Sequence, residues 1–464
     1  MTTNRRPGTP RVLFLSGLQI YPAYSGGYLR SYALANALKR HGLDVFVYSL
    51  AGRKRDYLAL RRPSVQTWPD GIEEYVDRGA LGFLIQYASF ALGLPPVWLT
   101  TYLRTAATSP REMLLPALLR EKLAWCDVVI ADFPYVHTIF TAPSARGRLR
   151  VLSTHNVEHH LRDESSWYKR RIRAAVRDIE LTAAEECDIL VSCCTGDADF
   201  FTANARVRRS VTVPNGVDVR RFHGIAEHRS RIRQELGIAD DVKLFLFTAS
   251  RGVANREAFD YLVDFARKYG RLLTEQRIHI LVVGGVTAGH VRQPGFTATG
   301  KVGVVEPYFA AADAALNPIW SGAGTNLKTC EFIAMRLPLV TTRFGVRGYL
   351  LEDGKTGFLF EKETLATVLS LVRRLFDEDP ARLGRMADEA YAQNESAIDM
   401  DACARALVDA MSYARDCSRD SAGEIGSSPM GYPSILPAEG GRGASGARAD
   451  VRPPAPRPNI GART

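Results

Sequence analysis

Short apolar runs alternate with helix-patterned segments along residues 1–222. Each run is rich in Val, Ile, Leu and Phe, and most are followed by a longer stretch with helical spacing. Apolar strands that are separated by helices are typical of a parallel sheet with both faces covered. The pattern predicts an α/β, doubly wound, Rossmann-like domain. The runs read RVLFLS, DVFVYSL, CDVVIADF, RVLSTHN, CDILVSCC and SVTVPNGV.

The pattern restarts after residue 222, which predicts a second Rossmann-like domain over 223–395. Its strand-like runs read KLFLFTAS, RIHILVVGG, GKVGVV, DAALNPI and LPLVTT. A length of 464 residues agrees with two cores, because single cores stop growing at about 250–300 residues. We expect a closing helix over 396–417. We also expect a disordered tail over 418–464, where Gly, Pro, Ser, Ala and Arg leave little apolar surface to bury.

Basic charge and one long apolar stretch are concentrated in the first domain. Residues 1–220 carry 29 Lys and Arg against 21 Asp and Glu, which is +8 of the net charge of +10. This balance favours an anionic membrane surface or substrate, and nucleic acid is not expected because interleaved aromatics and known modules are missing. The uncharged stretch 80–99 approaches a membrane-spanning length, but Gln86 and Pro95-Pro96 favour a buried or interfacial helical hairpin.

The sequence does not indicate a metal site. Its seven cysteines show no CxxC spacing, so we interpret them as reduced cytoplasmic thiols. His159 and His160 are weak ligand candidates, because no matching set of carboxylates or cysteines accompanies them. Asp197-Ala198-Asp199 spells a DxD, but it follows the strand CDILVSCC, which is the wrong context for that metal signature.

Two doubly wound domains form a cleft at the carboxyl ends of their strands, where such sheets bind ligands. In the first domain, Gly26 and Gly27 lead into a helix and let the backbone approach a substrate or phosphate closely. The full GxGxxG spacing is absent, and a tight turn is the alternative. His155 ends the strand RVLS and can donate to a bound anion or hydroxyl, with a purely structural histidine as the alternative.

The main ligand pattern of the second domain is SGAGTNLKTCEFIAMRLP at 321–338. Such a loop leaves backbone N–H groups free at a helix start, which suits an anion. Lys328 adds a positive charge, and Glu331 lies on the same face of the helix and can accept from ribose hydroxyls. The alternative is a surface salt bridge between these two side chains. The small and capping residues that open the helix include Gly324, Thr325 and Asn326.

Two more positions of the second domain are candidates for the cleft. Arg251 follows the strand FTAS and places a cation at a strand end. Gly300 lies in TGKV, before the predicted short strand, where backbone groups can line a pocket for a base. Both therefore extend the predicted nucleotide site.

Several segments of the sequence resemble those of a known family, the GT-B glycosyltransferases of family 4 with a group 1 C-terminal domain. The resemblance covers roughly residues 11–395. It implies two Rossmann-like domains that face a cleft, with the nucleotide sugar on the C-terminal domain and the acceptor on the N-terminal one. It also implies transfer with retention of configuration and no metal. The similar segments are RVLFLS with SGGYLRSYALANAL, THNVEHH, VPNGVD, FTAS with NREAFDYL, and GAGTNLKTCEFIAMRLPLVTT with GVRGY and GKTGFLF.

The resemblance also implies roles for single residues. Glu331 corresponds to the second Glu of the family's E-x7-E motif, the ribose ligand, whereas the first Glu falls at Ala323. A variant with Gly-x-Gly-Thr and a Lys three residues before the Glu is similar to this sequence. His155 corresponds to the family's cleft histidine, the pair at 26–27 corresponds to its glycine loop, and Arg251 lies one position from the usual cation.

The resulting hypothesis is a retaining hexosyltransferase that uses a UDP- or GDP-sugar, without a cofactor or metal. The acceptor is expected to be a glycan, a lipid-linked sugar or a small natural product. The enzyme is expected in the cytoplasm, with peripheral association at the inner face of the membrane as an option. The alternatives are a sugar-nucleotide epimerase of the same architecture and a non-catalytic GT-B-like binding protein.

Overall fold

The computed structural model describes residues 9–23, 26–52, 62–77, 97–162, 164–322 and 325–420. Within them the chain forms two separate sheets, and most strand pairs in both sheets are parallel. The predicted α/β fold with two Rossmann-like sheets is therefore confirmed. The first sheet ends at Thr212 and the second begins at Lys243. The boundary proposed at residue 222 lies between them and stays a prediction.

The first sheet has eight strands in the order β3-β4-β2-β1-β5-β6-β7-β8. Its strands are β1 Arg11–Ser16, β2 Asp44–Ser49, β3 Ser64–Thr67, β4 Glu73–Val76, β5 Val128–Asp132, β6 Leu149–Ser153, β7 Ile189–Ser192 and β8 Ser210–Thr212. The second sheet has seven strands in the order β11-β12-β10-β9-β13-β14-β15. Its strands are β9 Lys243–Thr248, β10 Ile278–Val283, β11 Val291–Gln293, β12 Phe296–Ala298, β13 Ala314–Asn317, β14 Leu339–Thr341 and β15 Phe358–Leu359.

Twelve α-helices are described between and after the strands. They are α1 Gly26–Arg40, α2 Val97–Thr108, α3 Ala117–Trp125, α4 Trp167–Glu186, α5 Thr195–Asn204, α6 Arg229–Leu236, α7 Val253–Glu275, α8 Glu306–Ala311, α9 Leu327–Ala334, α10 Leu365–Glu378, α11 Pro380–Ile398 and α12 Met400–Asp420. Within the part of the chain that the structure describes, none of these helices combines the length and the apolar character needed to cross a bilayer.

Central strands are continuously apolar because helices cover both of their faces. In β1, Val12 and Phe14 pack into one core while Leu13 and Leu15 pack into the core on the opposite face. The second sheet repeats the arrangement, with alternate residues of β9 in two different cores. Two-sided burial removes the polar alternation of a half-exposed strand. It also explains why the sequence pattern located these strands.

The last described helix, α12, packs against the first sheet. Met400 and Leu407 belong to the same core as Val12, although they follow the second sheet in the chain. The chain that returns to the first sheet passes close to Gly216, where an added Cβ would lie 2.8 Å from the Met400 backbone. The helix predicted over 396–417 differs from this structure, because α11 continues to Ile398 and α12 begins at Met400.

One predicted strand is wrong and several polar ones were missed. GKVGVV forms bends and irregular backbone, and the strand of that region is the preceding β12. The polar strands β3, β4 and β11 were not predicted, because their sequences SVQT, EEYV and VRQ lack an apolar run. Most of the stretch 80–99 and almost all of the tail predicted over 418–464 lie outside the described residues.

Candidate active site

The start of α9 carries the lysine and glutamate that the sequence singled out. Asn326 is the N-cap, as expected, but its side chain makes no capping hydrogen bond. Thr325 is buried. It packs so closely against Gly348 that a side chain at residue 348 would clash with it. Gly324 and Ala323 lie outside the described residues, so the predicted role of Gly324 stays a prediction.

Lys328 is held by the first turn of another helix. Its Nζ donates to Asn255 Oδ1 at 2.7 Å, and Asn255 in turn donates from Nδ2 to the Ser250 carbonyl at 2.8 Å. The ammonium group also lies 5.6 Å from the centre of the Phe247 ring. Burial lowers the pKa of Lys328 to about 8, and the charge of Glu331 opposes this shift. A desolvated cation of this kind is suited to an anionic ligand.

Glu331 is buried and pairs with an arginine from the connection between the sheets. Arg221 lies in the 3-10 turn Val219–Phe222, and its Nη1 lies 3.3 Å from Glu331 Oε1. The same guanidinium also binds Glu306, the first residue of α8, at 2.6 Å. Burial raises the pKa of Glu331, and the charge of Arg221 opposes this rise. Lys328 and Glu331 thus bind different partners, and the alternative of a surface salt bridge between them is wrong.

Arg251 and Gly300 lie near other strand ends of the second sheet. Arg251 is exposed in the turn between β9 and α7, four residues before Asn255. Gly300 follows β12, with φ of +70°, and its carbonyl accepts from Gly284 N at 3.1 Å. The prediction placed Gly300 before a strand, and this position is wrong because residues 301–305 form no strand. The ligand roles of both residues stay predictions.

His155 forms a buried pair with Asp132 at the end of the first sheet. Its Nε2 lies 2.8 Å from Asp132 Oδ1, and Ser31 Oγ donates to Asp132 Oδ2 at 2.6 Å. The imidazole stacks on Phe133 with ring centres 3.9 Å apart. Phe133 has φ of +80°, a strained conformation for a bulky residue. The carboxylate and the aromatic ring therefore fix the orientation of the imidazole.

The second ring nitrogen of His155 faces the glycine pair. His155 Nδ1 is buried and has no hydrogen-bond partner in the structure. Gly26 and Gly27 are the first residues of α1, and an added Cβ on Gly27 would lie 3.4 Å from this nitrogen. An added Cβ on Gly26 would meet open space. The absence of a side chain at Gly27 thus leaves space beside Nδ1, and the role of the glycine pair in substrate binding stays a prediction.

The other sequence candidates have structural partners. His159 Nδ1 lies 2.8 Å from Glu180, whose carboxylate also accepts the backbone N–H groups of residues 158 and 159. His159 therefore anchors the segment after β6 to α4. Asp197 and Asp199 lie on α5, where Asp199 is exposed.

Sequence reasoning missed the partners of the candidate residues. Asp132 had a recognisable signal, because it is a carboxylate at the end of an apolar strand. His155 was singled out by the same kind of position, since it follows the strand β6. Arg221 and Asn255 gave no such signal, because their partners are 110 and 73 residues away in the sequence.

Comparison with known proteins identifies this pair of sheets. A family model described as Glycosyltransferase Family 4 matches residues 26–221, and one described as Glycosyl transferases group 1 matches residues 242–378. The chain belongs to the family 4, group 1 type of GT-B glycosyltransferases. The predicted family and enzyme class are thereby confirmed.

A curated relative and two solved structures resemble this glycosyltransferase. The putative teichuronic acid biosynthesis glycosyltransferase TuaC of Bacillus subtilis is 26% identical over 205 residues, which are 43% of this chain and about half (49%) of that protein. HepE of Anabaena, solved in complex with UDP-glucose, is 15% identical with a TM-score of 0.58, over 87% of this chain and 99% of HepE. WaaG, a glycosyltransferase involved in lipopolysaccharide biosynthesis, is 18% identical with a TM-score of 0.54, over 86% and 99% of the two chains.

Proposed function

We propose that this glycosyltransferase transfers a hexose, with retention of configuration, from a UDP- or GDP-sugar to a glycan, lipid-linked or natural-product acceptor. The observation that carries the proposal is the half-buried Lys328 at the start of α9, whose ammonium is held by Asn255 and lies near the buried Glu331. A cation suits a diphosphate, and a carboxylate suits the hydroxyls of a ribose. HepE, which has the same fold, was solved in complex with UDP-glucose.

The donor diphosphate is proposed to bind at the start of α9. Helix N-termini present free N–H groups and a positive dipole end to anions, and Lys328 adds a full charge. Asn255, in the first turn of α7, accepts from the Lys328 ammonium at 2.7 Å. Because this contact already fixes the cation, little reorganisation is needed when charge develops on the leaving group. Burial raises the pKa of Glu331 and the charge of Arg221 opposes this rise, which favours the ionised carboxylate that accepts from ribose hydroxyls. Arg251 is a further candidate for the diphosphate.

The transferred sugar and the acceptor are proposed to meet at His155. Its unpartnered Nδ1, which lies beside Gly27, is proposed to accept from a sugar hydroxyl. Asp132 acts on the imidazole as a positioning residue, because both of its oxygens already have partners in His155 and Ser31. A carboxylate so engaged is poorly placed as a nucleophile, so a covalent sugar intermediate on Asp132 is not proposed.

The proposed reaction is attack from the face that the leaving group departs from. The bond from the sugar's anomeric carbon to the diphosphate oxygen breaks, and a bond from the same carbon to the acceptor oxygen forms on that face. The acceptor proton moves to the departing phosphate oxygen, and the nucleoside diphosphate is released. Lys328 and the α9 N-terminus stabilise the charge of the leaving group. No metal is expected in this step.

The exposed start of α4 favours a membrane-associated acceptor. Trp167 and Tyr168 open α4 with 66% and 50% exposure, and the basic run Lys169-Arg170-Arg171 follows. Exposed aromatic and basic residues together are typical of interfacial membrane binding. We therefore propose peripheral association with an anionic membrane surface on the cytoplasmic side, near a lipid-linked acceptor.

The proposal is tested by incubating the purified chain with a panel of UDP- and GDP-sugars, with and without chelator. Slow release of UDP or GDP from one sugar nucleotide, unchanged by chelator, is the expected result, and the anomer of the freed sugar, followed by NMR, should match the donor. Inversion of that anomer would overturn retention. An intact nucleotide whose sugar changes configuration would indicate an epimerase, and absence of both binding and turnover across the panel would indicate a non-catalytic protein.

A further inference from the structure

A cysteine pair at the end of β7 lies beside His155 and takes no part in the proposed transfer. Cys193 is buried, and Cys194 is the half-buried N-cap of α5. Asp197 lies in the first turn of the same helix. One ligand atom from each of these three side chains lies within 4.8 Å of the other two.

Two of the three side chains already contact each other through polar atoms. Cys193 Sγ lies 3.4 Å from Asp197 Oδ2. The Cys194 sulfur lies within 4.8 Å of both ligand atoms. The carboxylate is half-buried, although thiols are weak donors for a buried charge. A cation would satisfy this carboxylate and both sulfurs far better.

We propose that Cys193, Cys194 and Asp197 bind one thiophilic divalent cation of the Zn²⁺ type. Zinc forms bonds of about 2.3 Å to thiolate and about 2.1 Å to carboxylate, so a tetrahedral site separates sulfur from oxygen by about 3.6 Å. The observed 3.4 Å between Cys193 Sγ and Asp197 Oδ2 is close to this separation. Thiolate ligands select Zn²⁺ over Mg²⁺ or Ca²⁺, and water completes the four-coordinate site.

Binding is an exchange of protons for a metal ion, with no change of oxidation state. Two thiols lose their protons to solvent, and the cation forms two bonds to sulfur and one to the carboxylate oxygen. The site therefore differs from the DxD interpretation, because it uses Asp197 with the preceding cysteines and leaves Asp199 exposed. The spacing Cys-Cys-x-x-Asp is not a familiar zinc pattern, which explains why the sequence did not reveal it.

The site is coupled to the candidate active site through one hydrogen bond. Cys193 Sγ donates to the His155 carbonyl oxygen at 3.0 Å. A metal-bound thiolate has no proton to donate, so occupation removes this contact from the segment that positions His155. Bound Zn²⁺ is accordingly expected to inhibit the enzyme. This inference does not depend on the proposed substrates, because metal binding is measured without turnover.

The test uses the full chain in a Cys417→Ser background, which leaves the six cysteines that the structure describes as free thiols. The protein is stripped of metal, kept reduced with a phosphine and titrated with Cd²⁺, whose bonds to thiolate absorb in the ultraviolet. Calorimetry with Zn²⁺ in two buffers of different protonation enthalpy counts the released protons. We expect one cation per chain and a net release of up to about two protons, according to how far the thiols are ionised beforehand.

Two site variants and one control decide the outcome. Cys194→Ser and Asp197→Asn should each weaken Cd²⁺ and Zn²⁺ binding at least about tenfold. Cys187→Ser removes a buried thiol that bonds to the Ala184 carbonyl outside the site, and it should bind like the parent. The proposal is overturned if the parent binds no cation at one per chain, or if both site variants bind as tightly as Cys187→Ser. Thermal unfolding of each variant verifies that the fold is retained.

Discussion

Lys328 and Asn255 connect the starts of two helices that follow different strands of the second sheet. Lys328 Nζ lies 2.7 Å from Asn255 Oδ1, with Lys328 in the first turn of α9 and Asn255 in the first turn of α7. The contact draws a cation into a desolvated position between two helix N-termini. Both helix ends favour negative charge, so the pair defines where the donor diphosphate is expected to bind.

The pKa of Lys328 gives the first prediction. Burial lowers this pKa to about 8, so the free enzyme carries the lysine charge below pH 8 and loses it above. Because a diphosphate binds the charged form, the affinity for UDP or GDP should fall above about pH 8 by up to about tenfold per pH unit. Calorimetric titration with the nucleotide between pH 6 and 10 measures this profile.

Two variants separate the lysine from other causes of pH dependence. Lys328→Met should weaken diphosphate binding by about tenfold to a hundredfold at pH 7, as expected for a lost hydrogen bond to a charged group. Lys328→Arg keeps a charge at every pH tested, so its remaining affinity should be nearly flat across the range. A wild-type profile that is retained in the arginine variant would contradict the assignment to Lys328.

The sequence singled out the candidate residues of this site but not their partners. Lys328 and Glu331 were predicted because small and capping residues before a helix indicate an anion site, and this local signal needs no tertiary contact. Asn255, Arg221 and Asp132 act through partners that are brought close only by the packing of separate loops. The central strands were predictable for a related reason, because two-sided burial leaves a continuous apolar run, whereas the polar strands leave none.

Arg221 is predicted to support nucleoside binding through Glu331. It lies between two buried or half-buried carboxylates, at 2.6 Å from Glu306 and 3.3 Å from Glu331. Removing the guanidinium in Arg221→Met raises the pKa of Glu331 further, because burial then acts without an opposing charge. We expect UDP or GDP to bind about tenfold more weakly in this variant, while inorganic pyrophosphate, which lacks a ribose, is little affected.

Arg220→Met is the matched control for this comparison. Arg220 is the neighbouring residue, is more exposed, and pairs with Asp218 at 2.5 Å instead of with the site. Its nucleotide affinity should equal that of the wild type within about twofold. Equal losses for nucleotide and pyrophosphate in Arg221→Met would mean that Arg221 acts on the diphosphate or on the fold, and not through the ribose ligand.

Membrane association is predicted to depend on the start of α4. Trp167→Ser and the double variant Arg170→Ser/Arg171→Ser should each reduce sedimentation with vesicles that contain anionic lipid. The loss should be about 1 kcal/mol of binding free energy per basic residue at low salt. Val304→Ser, which changes another exposed apolar residue on the second sheet's side, is the control and should sediment like the wild type. Vesicle binding that is absent in the wild type would contradict the proposal.

The glycine pair offers the sharpest test of His155. Gly27→Ala places a methyl group 3.4 Å from His155 Nδ1 and 3.5 Å from Phe133, an ordinary contact distance that covers the free ring nitrogen without a clash. Gly26→Ala adds the same methyl group to the same helical turn in open space. Both changes raise helix propensity equally, so their effects on stability should be similar.

Gly27→Ala and Gly26→Ala should therefore differ in kcat although their stabilities are similar. Gly27→Ala is expected to lower kcat by about a hundredfold with little change in nucleotide affinity, because the sugar hydroxyl loses its partner while the diphosphate site stays intact. Gly26→Ala should retain most of the wild-type kcat. Asp132→Asn should resemble Gly27→Ala in kcat, since it frees the imidazole to rotate. If Gly26→Ala loses as much activity as Gly27→Ala, the helix start itself, and not access to His155, controls the reaction.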